Sequence, residues 1–217
     1  RNLAHEIKNP LGGIRGAAQL LERELEDPER REFTQVIVKE ADRLQSLMNR
    51  LLTPSRLPQL GPLNIHEVTE RVRTLLLAEF PDGLAIRRDY DASLPDLRGD
   101  KEQLIQAVLN VARNAAQATG GRGEVRISTR IARQVTIARH RYRHAVAVAI
   151  EDDGPGVPPE LAERIFFPLV SGREGGTGLG LSLAQSFVSR HQGLIEFESA
   201  PGRTRFTILL PLQEEHP

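Results

Sequence analysis

The sequence contains no cysteine and no tryptophan, and aromatic residues make up only 4% of its 217 positions. The absence of cysteine excludes disulfide-stapled scaffolds, thiolate zinc sites and thiol nucleophiles. It also fits a reducing compartment. The chemistry of this chain therefore does not involve thiols.

The sequence also lacks an excess of either charge, because 29 Lys and Arg residues balance 29 Asp and Glu residues. This balance argues against a surface built to hold nucleic acid or an anionic membrane. No apolar run approaches the roughly 20 residues needed to cross a bilayer. There is no initiator methionine and a helical pattern is already running at the first residues, which indicates a fragment of a longer protein.

With 39% hydrophobic and 27% charged residues, the composition is that of a globular protein with one large domain or two small ones.

The first part of the chain shows two apolar stripes with helical spacing. One is a heptad seam of Ala4, Ile7, Leu11, Ile14, Ala18, Leu21 and Leu25. After a turn at Asp27-Pro28, the other contains Phe33, Ile37, Ala41, Leu44, Leu47, Met48 and Leu51. A hairpin of about 50 residues does not bury such seams alone, so we expect a homodimer in which two antiparallel hairpins form a four-helix bundle.

A proline-rich segment follows this hairpin. Residues 53–62 contain three prolines and one glycine, a composition typical of a linker or hinge. We therefore place the helical hairpin at residues 1–56, a linker at 57–63 and a second domain at 64–217.

The second domain mixes helix and strand patterns without strict alternation. Helices are predicted over residues 65–80, 101–119, 159–165 and 181–191, with Asp100 as the N-cap of the second of these. Strands are predicted over residues 85–90, 124–131, 135–137, 145–152, 193–198 and 204–210. This order favours an α+β sandwich with helices on one face of the sheet.

His5 is the first candidate for chemistry. It lies about 100° round the helix from the seam residue Ala4, which places its imidazole at the side of the bundle, toward water. Glu6 adjoins it, Asn9 shares its helix face, and Pro10 removes a helix hydrogen bond. This pattern suggests a nucleophilic imidazole whose second proton is held by a carboxylate. A solvated surface histidine is the alternative that the residues alone leave open.

Two glycine clusters and two asparagines mark a second candidate site. Residues 152–156 read Asp-Asp-Gly-Pro-Gly at the end of a predicted strand, and residues 175–181 open a predicted helix whose free N–H groups suit phosphate. Asn110 and Asn114 share one helix face, and an amide oxygen is a ligand that Mg²⁺ accepts. Each feature alone is also typical of a turn or a solvated helix, but their joint occurrence favours a nucleotide site.

Five motifs in this order resemble the H, N, G1, F and G2 boxes of the sensor histidine kinases. They are His5-Glu-Ile-Lys-Asn-Pro-Leu11, Asn110-Val-Ala-Arg-Asn114, Asp152-Asp-Gly-Pro-Gly156, Phe166-Phe-Pro168 and Gly176-Thr-Gly-Leu-Gly180. They span nearly the whole chain, and the surrounding sequence is similar to the branch that regulates nitrogen metabolism. The resemblance implies a dimerisation hairpin followed by a Bergerat-type (GHKL) α/β sandwich that binds ATP.

The resemblance also implies a role for individual residues. His5 would be the phosphorylated residue, with Glu6 and Asn9 as its catalytic neighbours. Asp152 would bind the adenine amino group and Asn114 would ligate Mg²⁺. The other implied ATP contacts are Asn110, Arg113, Gly154, Gly156, Phe166, Arg173, Gly176, Thr177, Gly178, Leu179, Gly180 and Thr204.

The implied activity is phosphorylation of His5 from Mg-ATP, transfer to an aspartate of an NtrC-type response regulator, and dephosphorylation of that regulator by water that Asn9 orients. The implied partners are a second copy of the chain, the receiver domain of that regulator and a PII signalling protein, in the cytoplasm, without direct contact with nucleic acid or membrane. Two other classes of function are alternatives to a kinase. One is an ATPase of the same fold that acts as a conformational clamp, and the other is a catalytically silent dimeric scaffold.

Asp153 departs from the family pattern, since most relatives carry asparagine at this position. The second carboxylate either perturbs its neighbour Asp152 or faces solvent, and we favour the solvent-facing arrangement. Residues 122–145 lie outside the motifs and hold seven arginines against one acidic residue. A solvated hairpin edge is the default interpretation of these arginines, and a docking surface for an acidic partner is the alternative.

Overall fold

A computed structural model describes residues 2–52, 57–172 and 176–212, and the side chains of residues 2–8, 43 and 46–52 also lie outside the description. The chain divides into two compact units, Arg1–Arg56 and Leu57–Pro217. Each unit is described by itself.

The first unit is a pair of helices, α1 (Asn2–Glu24) and α2 (Pro28–Leu52), and α1 continues through Pro10. Asp27 caps α2, because its Oδ1 atom accepts the Glu29 N–H at 3.0 Å ahead of the proline that opens the helix. Cross-helix contacts join Arg15 to Asp42 and Gln35 to Glu22, at 2.8 and 2.9 Å. The middle of α1 thus contacts the middle of α2, and the end of α1 contacts the first part of α2, as an antiparallel hairpin requires.

The seam of this hairpin is only partly covered within one chain. Ala18, Thr34 and Ala41 are buried between the helices. Five of the larger seam residues are 43–70% exposed: Ile14, Leu21, Phe33, Ile37 and Leu44. Such a continuous apolar stripe is costly in water, so the hairpin presents the surface that the predicted bundle needs.

The second unit contains seven strands and four helices within its described residues. In chain order they are β1 (Gly61–Leu63), α3 (Ile65–Glu79), β2 (Ala85–Tyr90), β3 (Leu97–Gly99), α4 (Lys101–Ala118), β4 (Glu124–Ile137), β5 (His140–Asp152), α5 (Pro159–Ala162), α6 (Gly180–Arg190), β6 (Leu194–Ala200) and β7 (Arg203–Pro211). Five strands form one sheet in the order β2-β4-β5-β7-β6, in which only the β2–β4 pair is parallel. Strands β1 and β3 form a separate antiparallel pair.

Helices α3, α4 and α6 pack on one face of the five-stranded sheet. Their buried side chains include Val72, Val108 and Val188, which belong to the same core cluster as Ile150 and Phe206 of the sheet. Over residues 125–130 of β4, buried residues alternate with exposed or half-buried ones, the period-two pattern of a strand with one solvated face. The predicted α+β sandwich is confirmed.

The structure corrects four details of the sequence prediction. Strand β1 occupies the last part of the predicted linker, and β3 is a strand that the pattern did not show. The predicted strands 124–131 and 135–137 are one strand, and β5 begins at His140 instead of Ala145. A run of alternating arginines has little apolar periodicity, so the local pattern underestimates the length of this hairpin.

The extension of this hairpin ends in a two-residue turn. Ala138 and Arg139 both have positive φ, +47° and +70°, which matches the type I′ geometry of tight hairpins. Beyond residue 129, β4 pairs with β5 alone. Arg133, Arg139 and Arg141 are exposed there, in agreement with a solvated hairpin edge.

Candidate functional site

Asp152 is the buried carboxylate of the candidate site. It ends β5 at 3% exposure and pairs in register with Thr204 of β7. Its Oδ1 atom accepts the Gly154 N–H at 3.0 Å. Thr204 is also buried, and its Oγ1 atom lies 3.0 Å from Ser199 Oγ. Two predicted residues 52 positions apart thus stand side by side because β5 and β7 are neighbours.

The turn after Asp152 is tied to the β6–β7 hairpin. The Gly202 N–H donates to the Gly154 carbonyl at 2.9 Å, and the Val157 N–H donates to Ser199 Oγ at 2.8 Å. Gly156 has φ +91°, and a Cβ atom there would lie 3.0 Å from the Ala200 carbonyl oxygen. Both conditions favour glycine. Ser199 is a contact that no sequence motif indicated.

Asp153 faces away from its neighbour. Its side chain is exposed, and its Oδ1 atom accepts the Glu124 N–H at 3.0 Å. The carboxylate therefore caps the start of β4. This agrees with the solvent-facing arrangement favoured from the sequence.

Helix α4 carries both predicted asparagines. Asn110 and Asn114 are half-buried, and a Cβ atom at Gly180 would lie 4.0 Å from Asn110 Cβ. The first turn of α6 therefore packs against α4 at Asn110. The N and G2 motifs, 70 positions apart in the chain, meet through this helix contact.

Arg113 of α4 forms an ion pair with Glu79 of α3. Its Nε and Nη2 atoms donate to both carboxylate oxygens of Glu79 at 2.7–2.9 Å. A bidentate pair of this kind holds the guanidinium in one orientation. This ion pair fastens α4 to α3, and the contact of Arg113 with ATP stays a prediction.

The segment between the F and G2 motifs is fastened at both ends. The Phe166 ring packs edge-on against Phe197 and Phe206, with centroids 6.1 and 6.4 Å apart. The Leu169 N–H donates to the Gly178 carbonyl at 3.0 Å. Phe166 therefore anchors the segment to the core, and its described contacts are apolar.

The glycines of the G2 motif differ in their surroundings. Gly178 has φ +64°, and a Cβ atom would lie 2.5 Å from the Leu169 carbonyl carbon, so no larger residue fits. Leu179 is fully buried, whereas Gly176 is exposed and Thr177 and Gly180 are half-buried.

Arg173 lies outside the described residues, as do the side chains of His5 and Glu6. Asn9 is exposed on α1.

An open cavity of about 350 Å³ adjoins the turn after Asp152. It is lined by Ala118, Thr119, Arg122, Gly123, Asp153, Gly154 and Pro155. Gly154 is the one predicted site residue in this lining. The cavity therefore marks the edge of the turn and the end of α4, next to the predicted contacts.

The described residues contain no group of three or more His, Cys, Asp and Glu side chains that could hold a metal ion. Asn114 offers a hard amide oxygen, which fits Mg²⁺ that keeps several waters and is shared with nucleotide phosphates. Nowhere in the described ranges is there a helix with the length and hydropathy to span a membrane.

The sequence matches two family profiles. "Histidine kinase-, DNA gyrase B-, and HSP90-like ATPase" covers residues 99–214, and "His Kinase A (phospho-acceptor) domain" covers residues 1–60. The Sensory histidine kinase/phosphatase NtrB of Escherichia coli O157:H7 is 52% identical over 215 residues, which are 99% of this chain and 62% of that protein. The chain thus spans less than two thirds of the length of this curated relative.

Two solved structures have a similar fold. Full-length ShkA in complex with AMPPNP aligns with a TM-score of 0.71 and 28% identity, over 97% of this chain and 44% of that one. Histidine kinase ThkA in complex with the response regulator protein TrrA aligns with a TM-score of 0.65 and 25% identity, over 100% of this chain and 61% of that one. The predicted family and fold class are confirmed.

Proposed function

The chain belongs to the family of histidine kinase-, DNA gyrase B- and HSP90-like ATPases and carries a phospho-acceptor domain ahead of the ATPase domain, and from this premise we propose that it is the core of a sensor histidine kinase. The core phosphorylates His5 from Mg-ATP, transfers the phosphoryl group to an aspartate of an NtrC-type response regulator, and dephosphorylates that regulator. The relatives named NtrB support the kinase and phosphatase activities together.

The buried carboxylate of Asp152 is the observation that carries the proposal. A carboxylate with 3% exposure at the end of a strand is costly unless it accepts hydrogen bonds. It already accepts the Gly154 N–H, and the adenine amino group is a further donor of suitable size. Thr204 beside it and the two half-buried asparagines of α4 add neutral polar groups of the kind that orient a nucleotide.

The reaction forms a bond between a ring nitrogen of His5 and the γ-phosphorus and breaks the bond from that phosphorus to the bridging oxygen, so that ADP leaves. Glu6 holds or accepts the proton on the other ring nitrogen as positive charge develops on the imidazole. The Asn114 amide oxygen would hold Mg²⁺, and the bound ion would neutralise phosphate charge. Asn110 and the N–H groups of residues 176–180 contact the phosphates.

Phosphate transfer tests the proposal directly. The chain is incubated with γ-phosphate-labelled Mg-ATP, and the receiver domain of an NtrC-type regulator is then added. We expect an acid-labile label on the chain that moves to the regulator. ATP hydrolysis without label on the chain would favour the conformational clamp, and neither hydrolysis nor label would favour the silent scaffold.

The open seam supports a homodimer, and we expect Leu21→Glu to dissociate it. Leu21 is 49% exposed in one chain, and burying a leucine contributes about 1.5–3 kcal/mol. Since a symmetric dimer loses this contribution twice, its dissociation constant should rise at least ~100-fold. Sedimentation equilibrium measures the change. Arg23→Glu, an exposed position off the seam, is the control and should leave the dimer intact.

Asn9 should matter more for dephosphorylation of the regulator than for phosphorylation of His5. An amide that orients water contributes by positioning, so Asn9→Ala should slow dephosphorylation about 10–100-fold. The rate of His5 labelling should change much less. Asn9→Gln, which keeps an amide, is the matched variant. If Asn9→Ala and the parent dephosphorylated the regulator at equal rates, Asn9 would have no place in the proposed mechanism.

Nitrogen regulation, control by a PII protein and a cytoplasmic location complete the proposal, and they rest on the resemblance to the NtrB proteins. A pull-down with a purified PII protein, in the presence and absence of Mg-ATP, tests the second of these.

A further inference from the structure

We propose that Asp100 and His191 are positioning residues for the nucleotide site, and that Gln59 couples them to the chain segment that follows the phospho-acceptor hairpin. The three residues are named the α4–α6 junction. The inference rests on the proposed function, because it concerns the same ATP site.

Asp100 joins two parts of the chain through one carboxylate. It is buried at 8% exposure. Its Oδ1 atom accepts the Gln103 N–H at 3.1 Å and so caps α4, while its Oδ2 atom accepts the Gln59 N–H at 2.8 Å. Each carboxylate oxygen thus has its own backbone donor, and the two donors are separated by 44 positions.

The ionisation of Asp100 suits this role. Burial opposes the charged form, but hydrogen bonds from the backbone N–H groups of Gln59, Gln103 and Glu102 outweigh burial and hold the pKa of Asp100 below its usual value. The carboxylate therefore stays charged at neutral pH. In the charged form neither oxygen carries a proton, and both are strong acceptors.

His191 connects the end of α6 to the start of α4. It is buried at 7% exposure. Its Nε2 atom lies 2.9 Å from the Asp100 backbone nitrogen, and its Nδ1 atom lies 2.7 Å from the Phe187 carbonyl oxygen. An amide N–H donates and a carbonyl accepts, so Nε2 must be unprotonated and Nδ1 must carry the proton. The contacts therefore select one neutral tautomer.

The junction lies at the opposite end of the α4–α6 contact from the nucleotide motifs. From Asp100 to Asn110, α4 rises about 15 Å. Helix α6 covers a similar length in the opposite direction. Gly180 at its start lies next to Asn110, and His191 at its end accepts the Asp100 N–H. The His191–Asp100 bond thus fixes the register of the helix with the two asparagines against the helix that the glycine motif opens. A slip of one helix along the other would move Asn110 away from Gly180.

Gln59 brings the connecting segment into this arrangement through its backbone alone. The bond to Asp100 Oδ2 is made by the Gln59 N–H, and the exposed side chains of Leu57 and Leu60 flank it. A movement of this segment therefore acts first on the residue that caps α4. The bond thus ties the start of the second unit to the residue that caps α4.

The first experiment removes the Gln59 donor in the full chain. Gln59→Pro lacks the backbone N–H, and Gln59→Ala retains it and loses the same side chain. Binding of Mg-AMP-PNP is titrated calorimetrically. We expect about fivefold weaker binding by Gln59→Pro than by Gln59→Ala, with Gln59→Ala close to the parent. Equal affinities of the two variants would overturn the role of Gln59.

The second experiment tests positioning by rescue. His191→Leu lacks the acceptor for the Asp100 N–H, whereas His191→Gln retains an amide oxygen at a similar reach. We expect KM for ATP in His5 labelling to rise about tenfold in His191→Leu and to return toward the parent value in His191→Gln, with kcat little changed. Equal KM values in the two variants would contradict a positioning role.

Asp100→Asn keeps the inference testable if His191→Leu does not fold. Asparagine caps a helix as well as aspartate does, but its amide nitrogen cannot accept the Gln59 N–H. The expected result is intact α4 by circular dichroism with affinity for Mg-AMP-PNP lowered as in Gln59→Pro, and an unchanged affinity would oppose the inference. A parent chain that fails to bind Mg-AMP-PNP would contradict the proposed function itself, whereas binding and labelling that are equal in parent and variants contradict only the junction.

Discussion

His5→Gln is expected to reduce incorporation of the γ-phosphate into the chain by on the order of 10³-fold or more, since it removes the proposed nucleophile. Glutamine is similar in size to histidine, but its amide nitrogen has no lone pair available for attack on phosphorus. The measurement compares the acid-labile label on the parent and on the variant after incubation with γ-phosphate-labelled Mg-ATP.

The same variant should keep its affinity for Mg-AMP-PNP, because His5 and the nucleotide residues belong to different compact units. This retained affinity is the control for folding. Equal label on His5→Gln and on the parent would contradict the assignment of His5. His66 is half-buried and His140 is exposed, and both lie outside the motifs. Replacing either histidine by glutamine is a control, and these variants should be labelled as strongly as the parent.

Asp152→Ala is expected to weaken ATP binding by at least ~10-fold. The substitution removes a charge-assisted hydrogen bond to adenine, which is worth about 1.5–3 kcal/mol. It also leaves the Gly154 N–H without the carboxylate that it bonds at 3.0 Å, so the turn is expected to loosen. Both effects act on the same turn, and calorimetric titration with Mg-AMP-PNP measures their sum.

Asp153→Ala is the matched control, because it removes the adjacent carboxylate. Asp153 is exposed and bonds the Glu124 N–H, so its loss should change ATP affinity less than ~3-fold. Inosine triphosphate, which lacks the adenine amino group, provides a test without mutation. Inosine triphosphate should bind the parent weakly. It should bind Asp152→Ala no more weakly than ATP binds that variant. A parent chain that binds both nucleotides equally would refute the proposed adenine contact.

The order of the motifs in the sequence was sufficient to predict the family, the two-part organisation and the sandwich fold. Phospho-acceptor and ATPase profiles match in the predicted order. The apolar periodicity of the helices was also reliable, since α3 and α4 begin at the residues predicted for them. Local spacing reports helices well because their hydrogen bonds join residues four positions apart.

Arg113 has a partner that the motif does not indicate. It lies between two asparagines that share a predicted nucleotide face, but the structure pairs it with Glu79 of α3. The partner stands 34 positions earlier in the chain, and no local pattern indicates it. Strand pairing places Thr204 beside Asp152, and its contact with ATP stays a prediction.

The sequence by itself determined which groups are available for chemistry: a histidine beside a glutamate, two asparagines on one helix face, a strand-end aspartate and two glycine turns. These are properties of neighbouring residues, and short-range geometry relates them. Only the tertiary structure decided that Asp153 caps β4, that Phe166 anchors a segment to the core, and that His191 bonds the residue that caps α4. Each of these depends on hydrogen bonds or packing between residues 29 to 91 positions apart, whose proximity is set by the order of strands in the sheet and by the packing of helices on it.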